Sequence, residues 1–373
     1  MRRVNCVPRP DWKRKLEALG FSYHSLDGQY WDESACYRFS ASEIDLLEET
    51  TSELHRLCLK VVQHVIDNDL FARLHIPKAM VPMIQRSWLG QHQSLYGRFD
   101  LCYDAINAPK LLEYNADTPT SLLEAAVAQW HWLGDSGHPD QFNSLHEKLI
   151  ARWRQIGAGL PDGTVLHLSC VADSEEDWVN TEYLRDTALQ AGFDARFLFM
   201  EEVGWNTERF VDLAGEPIKL WFKLYPWEWL CREEFGPHLV SSDVRILEPA
   251  WKAILSSKAI LPVLWELFPG HRNLLPAYFE PSKLGSRYAA KPIYSREGAN
   301  VELHMDGKTI SQPGAYGAEG WVYQDLAPLP DFDGRYPVLG CWMVGDEPAG
   351  MGIREAATLI TTNSSRFVPH YFD

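Results

Sequence analysis

Between Thr164 and Leu224 the segments follow one another in an order that few folds accommodate. Val165 to Cys170 has strand composition, Asp177 to Gln190 reads as a helix, Ala191-Gly192 supplies its stop, and Ala195 to Phe199 and Ile218 to Leu224 return to strand composition. Strands separated by a helical crossover imply a parallel α/β lobe, because parallel neighbours need a long connection where antiparallel ones need only a turn. The flanks do not continue that alternation. Upstream, Ser40 and Glu43 form a capping box for a long amphipathic helix running toward Asp69. Gly97 to Tyr103 and Lys110 to Asn115 then read as a hairpin, followed by helices at Glu124 to Leu133 and Ser144 to Ile156. Downstream come a helix from Glu248 to Ser256, a Pro-rich passage to Pro281, a strand-rich segment from Tyr288 to Leu326, and strands and turns from Pro337 to Phe367. The class is mixed α/β (α+β), and with no internal repeat or low-complexity linker the lobes are expected to pack as one unit.

The 15 Trp and 15 Tyr among 373 residues demand a core or a pocket and exclude a disordered or fibrous chain. Asp plus Glu outnumber Lys plus Arg by 51 to 35, so nucleic acid is not an expected partner. The same balance would attract a cationic amine, and a nucleotide would need help from a metal to offset it. Seven cysteines without Cys-x-x-Cys spacing suggest neither a zinc site nor a disulfide framework. With no signal-peptide pattern and no apolar run long enough to span a bilayer, a cytoplasmic protein away from membranes is expected. Nothing in the sequence speaks to the oligomeric state.

Glu113 and Asn115 lie two apart on the second hairpin strand and so share a face, with Asp100 across from them. Three hard oxygen donors on one face suit magnesium, which keeps waters and substrate phosphates in its shell. A polar strand face with turn-directing Asp and Asn explains the same spacing. Arg98 shares the face of Asp100, where it could clamp a transferring phosphoryl group or make a salt bridge to a carboxylate. Lys291 ends the strand Tyr288-Ala289-Ala290, and behind it Ser295-Arg296-Glu297-Gly298-Ala299-Asn300 is a polar turn whose N–H groups could cover phosphates. Lys258 and Lys291 could equally be solvated. Arg354, after Gly350-Met351-Gly352, could meet a carboxylate or phosphate bidentately, or be a surface arginine after a turn. There is no Walker motif and no Gly-x-Gly-x-x-Gly.

Four separated segments nevertheless recur in one order: Gly97-Arg98-Phe99-Asp100, Glu113-Tyr114-Asn115-Ala116-Asp117, Lys258 to Trp265, and Ala290-Lys291-Pro292-Ile293. Together they resemble the synthetase domain of glutathionylspermidine synthase over nearly the whole chain, most of all the free-standing bacterial acid–amine ligases of that family, which lack the bifunctional enzyme's amidase domain. The resemblance implies an ATP-grasp fold with an additional parallel α/β lobe, forming one unit over 1–373. Within it, 1–160 would be a helical and magnesium-motif lobe, 161–250 the α/β substrate lobe, 251–330 a nucleotide-binding lid, and 331–373 a return to the active-site sheet.

It further implies that Asp100, Glu113 and Asn115 bind Mg2+, that Lys258 and Lys291 hold ATP, and that Arg98 and Arg354 face the reacting phosphate. In Val322 to Leu326, backbone groups at Gln324 and Leu326 would read the adenine edge, and the loop with Ser295 and Gly298 would close over the phosphates. The implied reaction joins a carboxylic acid, with a small peptide such as glutathione as a candidate, to an amine through an acyl phosphate. No covalent protein nucleophile is then needed, in keeping with the absence of a Ser-His or Cys-His signature. One departure stands out: Thr118-Pro119-Thr120-Ser121 replaces a cysteine-containing stretch, so the substrate-side wall differs and glutathione and spermidine are candidates only. Two other readings keep the fold: a non-catalytic ATP-binding partner or scaffold, and an ATP-dependent modifier of peptide or protein termini.

Overall fold

The computed structural model describes residues 1–26 and 28–373. At its centre is a five-stranded antiparallel sheet in the order Arg366–Phe367, Glu347–Ala356, Tyr336–Val344, Tyr96–Cys102, Lys110–Asn115. The expected hairpin is its edge pair, with Arg98 opposite Asn115 and Asp100 opposite Glu113. Alternation does the rest: Phe99 and Tyr114 stack at 3.8 Å on the buried face, leaving Arg98, Asp100, Glu113 and Asn115 on the other. Gly340 sits opposite Asp100 on the next strand, and a Cβ there would come within 2.8 Å of Arg98 Cδ. Only glycine leaves room for the arginine to lie flat across the sheet.

The parallel sheet has the order Arg245–Leu247, Leu220–Leu224, Leu166–Cys170, Ala195–Phe199. Both middle strands are buried throughout, as a sheet covered on two faces requires. The helix Glu175–Ala191 is the crossover, capped by Ser174 and stopped by Gly192 at φ 103°. Its fourth strand takes up Arg245–Leu247, and the helix expected from Glu248 instead spans Lys252–Ser256. Glu248 is buried, and its carboxylate accepts from the backbone N–H groups of Leu95 and Tyr96 at 2.9 and 3.1 Å while pairing with Lys252 at 3.0 Å. A buried carboxylate must be satisfied by whatever donors are near, and here they lie at the entrance to the strand that carries Arg98 and Asp100.

A second five-stranded antiparallel sheet runs Ala277–Tyr278, Trp321–Asp325, Arg287–Pro292, Glu302–Met305, Lys308–Ser311. Its register puts Lys291 opposite Val322 and Ala289 opposite Gln324. The Pro-rich passage before it contains an unanticipated helix, Ile260–Leu267. Pro262 sits in its first turn, where the N–H that proline lacks would have had no partner in the helix. This helix packs on the long helix Ala41–Asp67, whose Ser40–Glu43 capping box is present. The segment expected as one helix from Glu124 begins as a π-turn, Glu124–Ala128, before the α-helix Gln129–Ser136. A three-stranded sheet of Arg2–Asn5, Ala35–Phe39 and His370–Phe372 joins the two ends of the chain.

Candidate active site

The polar face of the central sheet carries a tight charge network. Arg98 Nε and Nη2 donate to Asp100 Oδ1 and Oδ2 at 2.7 and 3.1 Å, and Nη1 donates to Thr120 O at 2.7 Å. Its salt bridge to Asp100 and its place on a cavity wall are therefore both realised. Asn115 Nδ2 donates to Asp100 Oδ2 at 3.1 Å and faces Glu113 Oε1 at 3.4 Å. Lys258 Nζ lies 3.1 Å from Glu113 Oε2 and donates to Ser295 O at 2.7 Å. Against the burial that would raise it, Lys258 and Lys291 hold the Glu113 carboxyl down at about 2. Burial pushes the Asp100 carboxyl up, with Arg98 opposing.

Lys291 is held differently. Its Nζ donates to Leu112 O at 2.8 Å and Gln324 Oε1 at 2.7 Å, and among the described residues it makes no ion pair. Burial, only partly opposed by the charge of Glu113, pushes it down to about 8. Gln324 is fixed in turn by donating from Nε2 to Leu111 O at 3.0 Å, so its side chain serves the lysine. The Leu326 N–H donates to Asp325 Oδ1 at 2.9 Å. Arg354 is no surface arginine after a turn: Nε and Nη2 donate to the carbonyls of Ser365, Thr362 and Asn363 at 2.9–3.1 Å, and Nη1 donates to Ser121 Oγ at 3.2 Å. Among the described residues it makes no ion pair, unlike Arg98, and the charges of Glu124 and Glu297 act on it without direct contact. Gly298, at φ 71°, lies against the loop that follows Arg354's strand, where a Cβ would come within 2.5 Å of Thr361 O.

Two cavities meet at this network. One, of about 230 Å³, is a largely apolar slot between the two antiparallel sheets, lined by Leu112, Ala289, Val301 and Leu303 together with Lys258, Lys291, Ser295, Gly298, Gln324 and Leu326. The other, of about 640 Å³, is polar and opens toward the parallel sheet, with Arg98, Asn115, Ser121 and Arg354 on one side and Asp173, Asp177 and Glu201 on the other. Asp100 and Glu113 belong to both walls. Every candidate site residue thus borders one cavity or both.

Two carboxylates and one amide from adjacent strands offer hard oxygen donors within one small space, which fits magnesium completed by water and phosphate oxygens. No cluster of three or more His, Cys, Asp or Glu suited to a metal occurs among the described residues. Asn115 presents its NH2 to the carboxylates and would turn its carbonyl inward to ligate.

Sequence reasoning passed over three supports of the site. Asp117 is buried, with Oδ1 accepting from Lys223 Nζ at 2.8 Å and Oδ2 from the Trp227 N–H at 2.8 Å, so it nails the segment leaving the strand Lys110–Asn115 to the parallel sheet. A lone lysine inside the apolar strand Leu220–Leu224 was the available signal. Arg296, within the polar turn already noted, donates to Thr118 Oγ1 at 2.6 Å and to Glu228 Oε1 at 2.9 Å, bridging the turn to the segment after Asn115 and to the helix Trp227–Leu230. The buried pair Glu248–Lys252 is the third.

A family model described as glutathionylspermidine synthase preATP-grasp matches residues 3–373. The chain belongs to the glutathionylspermidine synthase family. Its relatives include a Haemophilus influenzae protein named "Putative acid–amine ligase", 45% identical over 393 residues and covering 100% of both chains. The Escherichia coli bifunctional glutathionylspermidine synthetase/amidase is 29% identical over 96% of this chain, which spans 63% of that enzyme's length. Trypanothione synthetase of Crithidia fasciculata is 30% identical over 85% of this chain and 53% of its own. Among solved structures, a glutathione synthetase-like effector from Globodera pallida superposes with a TM-score of 0.58, covering 99% of this chain and 100% of its own at 12% identity. The fold is the ATP-grasp type with a parallel α/β sheet added, and the family places the chain among carbon–nitrogen ligases. No helix among the described residues is long and apolar enough to cross a membrane.

Proposed function

We propose that the protein is an ATP- and magnesium-dependent ligase that joins a carboxylic acid to an amine through an acyl phosphate. One observation carries this reading: Asp100 and Glu113 stand in the wall shared by a lysine-bearing apolar slot and a polar cavity that faces two arginines. A group that must pass from nucleotide to acid has to cross such a wall.

On this reading the slot takes the nucleotide. Ala289, Val301 and Leu303 flank the base, and Lys258 and Lys291 meet its phosphates. The backbone of Gln324 and Leu326 reads the base edge once Asp325 releases the Leu326 N–H. Asp100, Glu113 and Asn115 would hold magnesium, which when bound neutralises phosphate charge. The acid's carboxylate oxygen, oriented by Arg98 and Arg354, forms a bond to the γ-phosphorus while the bond to the ADP oxygen breaks. The amine nitrogen then bonds to the acyl carbon, phosphate leaves, and the nitrogen gives up its proton. Among the described residues Arg354 and Lys291 make no ion pair, so their charge is available to the phosphoryl group in transit. Asp173, Asp177 and Glu201 give the far side of the polar cavity the sign that draws an amine. Residues 251–330 then act as the lid and 161–250 as the substrate lobe. Seven free cysteines fit work in a reducing compartment.

The test is ADP release by the pure protein with magnesium, across small peptides and other acids crossed with polyamines and amino acids. Release that needs both an acid and an amine, and that Asp100→Ala abolishes, is expected. Tight ATP binding without turnover for any pair would retire the reading in favour of a non-catalytic nucleotide-binding role.

A further inference from the structure

Behind Arg354 lies a chain of hydroxyls that ends on a buried carboxyl. Tyr30 Oη donates to Glu124 Oε1 at 2.6 Å, and Tyr23 Oη donates to the same oxygen at 3.2 Å. The Tyr30 and Ser121 oxygens are 3.1 Å apart. Since the one Tyr30 hydrogen goes to the charged carboxylate, Ser121 must be the donor in that contact. Ser121 Oγ in turn accepts from Arg354 Nη1 at 3.2 Å, and the Arg354 guanidinium lies 5.0 Å from the Tyr30 ring centre. All four hydrogen bonds therefore point one way, from Arg354 and Tyr23 inward to Glu124.

The far end is unusual. Glu124 is fully buried on the π-turn, makes no ion pair among the described residues, and leaves Oε2 without a partner. The near end faces the polar cavity: Ser121 borders it with a left-handed backbone at φ 65°, and the Leu122 N–H beside it donates to Asn180 Oδ1 at 2.9 Å. A strained hydroxyl pinned at a cavity wall is a place where orientation matters.

We propose that Glu124 and Tyr30 form a buried relay that sets the direction of the Ser121 hydroxyl and, through it, the seat of Arg354. With Glu124 ionised, the Ser121 hydrogen points inward and its oxygen alone faces the cavity. With Glu124 neutral, its own O–H donates to Tyr30, the Tyr30 hydrogen turns to Ser121, and the Ser121 hydrogen is freed to meet an anionic substrate. The groups that face Glu124 are Tyr23 and Tyr30 from the N-terminal segment, Glu176 from the crossover helix, and Arg354 from the central sheet. Burial, reinforced by the charge of Glu176, pushes the carboxyl up to about 7, so both states are within reach. These are positioning residues, and their catalytic meaning rests on the ligase reading above.

The test follows the carboxyl C=O stretch by infrared spectroscopy as the pure protein is titrated. A buried-carboxyl band that titrates near neutrality should be absent from Glu124→Gln, which separates it from Asp177, a half-buried carboxyl pushed up to about 7, there by desolvation and then by the charge of Glu176. Tyr30→Phe should move the midpoint up by about one pH unit, and Ser121→Ala, two bonds away, should move it up by less. A midpoint unmoved by Ser121→Ala, or no Glu124 band in the wild type, overturns the relay. If Tyr30→Phe fails to fold, Ser121→Ala decides alone. In turnover assays the KM for the acid should rise with pH through the same midpoint while kcat changes little, and Glu124→Gln should flatten that rise. A silent wild type would retire the ligase reading while the infrared result still decides the relay.

Discussion

Lys291 and Arg354 differ from the other cations of the site in what they touch. Lys258 and Arg98 are matched to Glu113 and Asp100, whereas Lys291 and Arg354 are held by neutral oxygens. Lys291→Ala and Arg354→Ala should each lower kcat by roughly 10²–10³-fold, as loss of one transition-state donor does elsewhere. ADP release measured beside circular dichroism checks both, and near-wild-type turnover in either variant would remove that residue from the mechanism. His370 makes a different claim on the solution. It is buried, its Nδ1 donates to Gln129 Oε1 at 3.0 Å, Nε2 has no partner, and burial pushes it down to about 3. A base whose folded value lies below its unfolded value near 6.5 binds its proton first in the unfolded chain. Stability should be full above that value and fall as pH drops toward 3, by up to about 1.4 kcal/mol per pH unit. His370→Asn, which keeps a donor toward Gln129 and does not titrate, should lose that slope in denaturant unfolding between pH 4 and 6, roughly the middle of the window.

Between elements, two contacts hold the site together. Asp117–Lys223 is fully buried and ties the exit of the strand Lys110–Asn115 to the parallel sheet. Removing one partner strands a buried charge, so Lys223→Met should cost about 3–5 kcal/mol, while adding Asp117→Leu should restore much of it. A double-mutant cycle in urea measures the recovery, and additive losses would mean the pair is not coupled. The turn Ser295–Asn300, proposed to cover the phosphates, meets the loop after Arg354's strand at Gly298. Gly298→Ala adds a methyl where there is no room and favours the wrong sign of φ. The turn should stand off, raising the KM for ATP by about tenfold or more with kcat less affected, a split that steady-state kinetics resolves.

At the scale of the molecule, stability is unevenly shared. Two large apolar clusters span the central and parallel sheets and the long helix, while Ala289, Val301, Leu303 and Ile360 form a separate small one beneath the second antiparallel sheet, the lid of the proposed reading. The strand Lys308–Ser311 at its edge buries none of its residues. A small core opens at lower cost, so amides of Glu302–Met305 and Lys308–Ser311 should exchange hydrogen at least about tenfold faster than those of Phe99–Leu101 and Leu339–Met343. ATP with magnesium should slow the lid and leave the central strands unchanged. Equal protection in both sheets would contradict a mobile lid.

The sequence by itself determined the features that repeat at short range. Alternation at Arg98, Asp100, Glu113 and Asn115 placed them on one face, the Ser40–Glu43 box began the long helix, and the strand–helix–strand order required a parallel sheet. Four motifs in one order pointed to the family. The helix at Ile260–Leu267 stayed hidden because one proline outweighed its apolar pattern, and the π-turn at Glu124 because helix types share a composition. Only the tertiary structure decided that Asp100 and Glu113 divide two cavities, that Arg354 is seated on carbonyls and a hydroxyl, and that Asp117 finds Lys223 from 106 residues away. Side-chain period is written in neighbouring residues, but which charges are compensated depends on partners that only folding brings together.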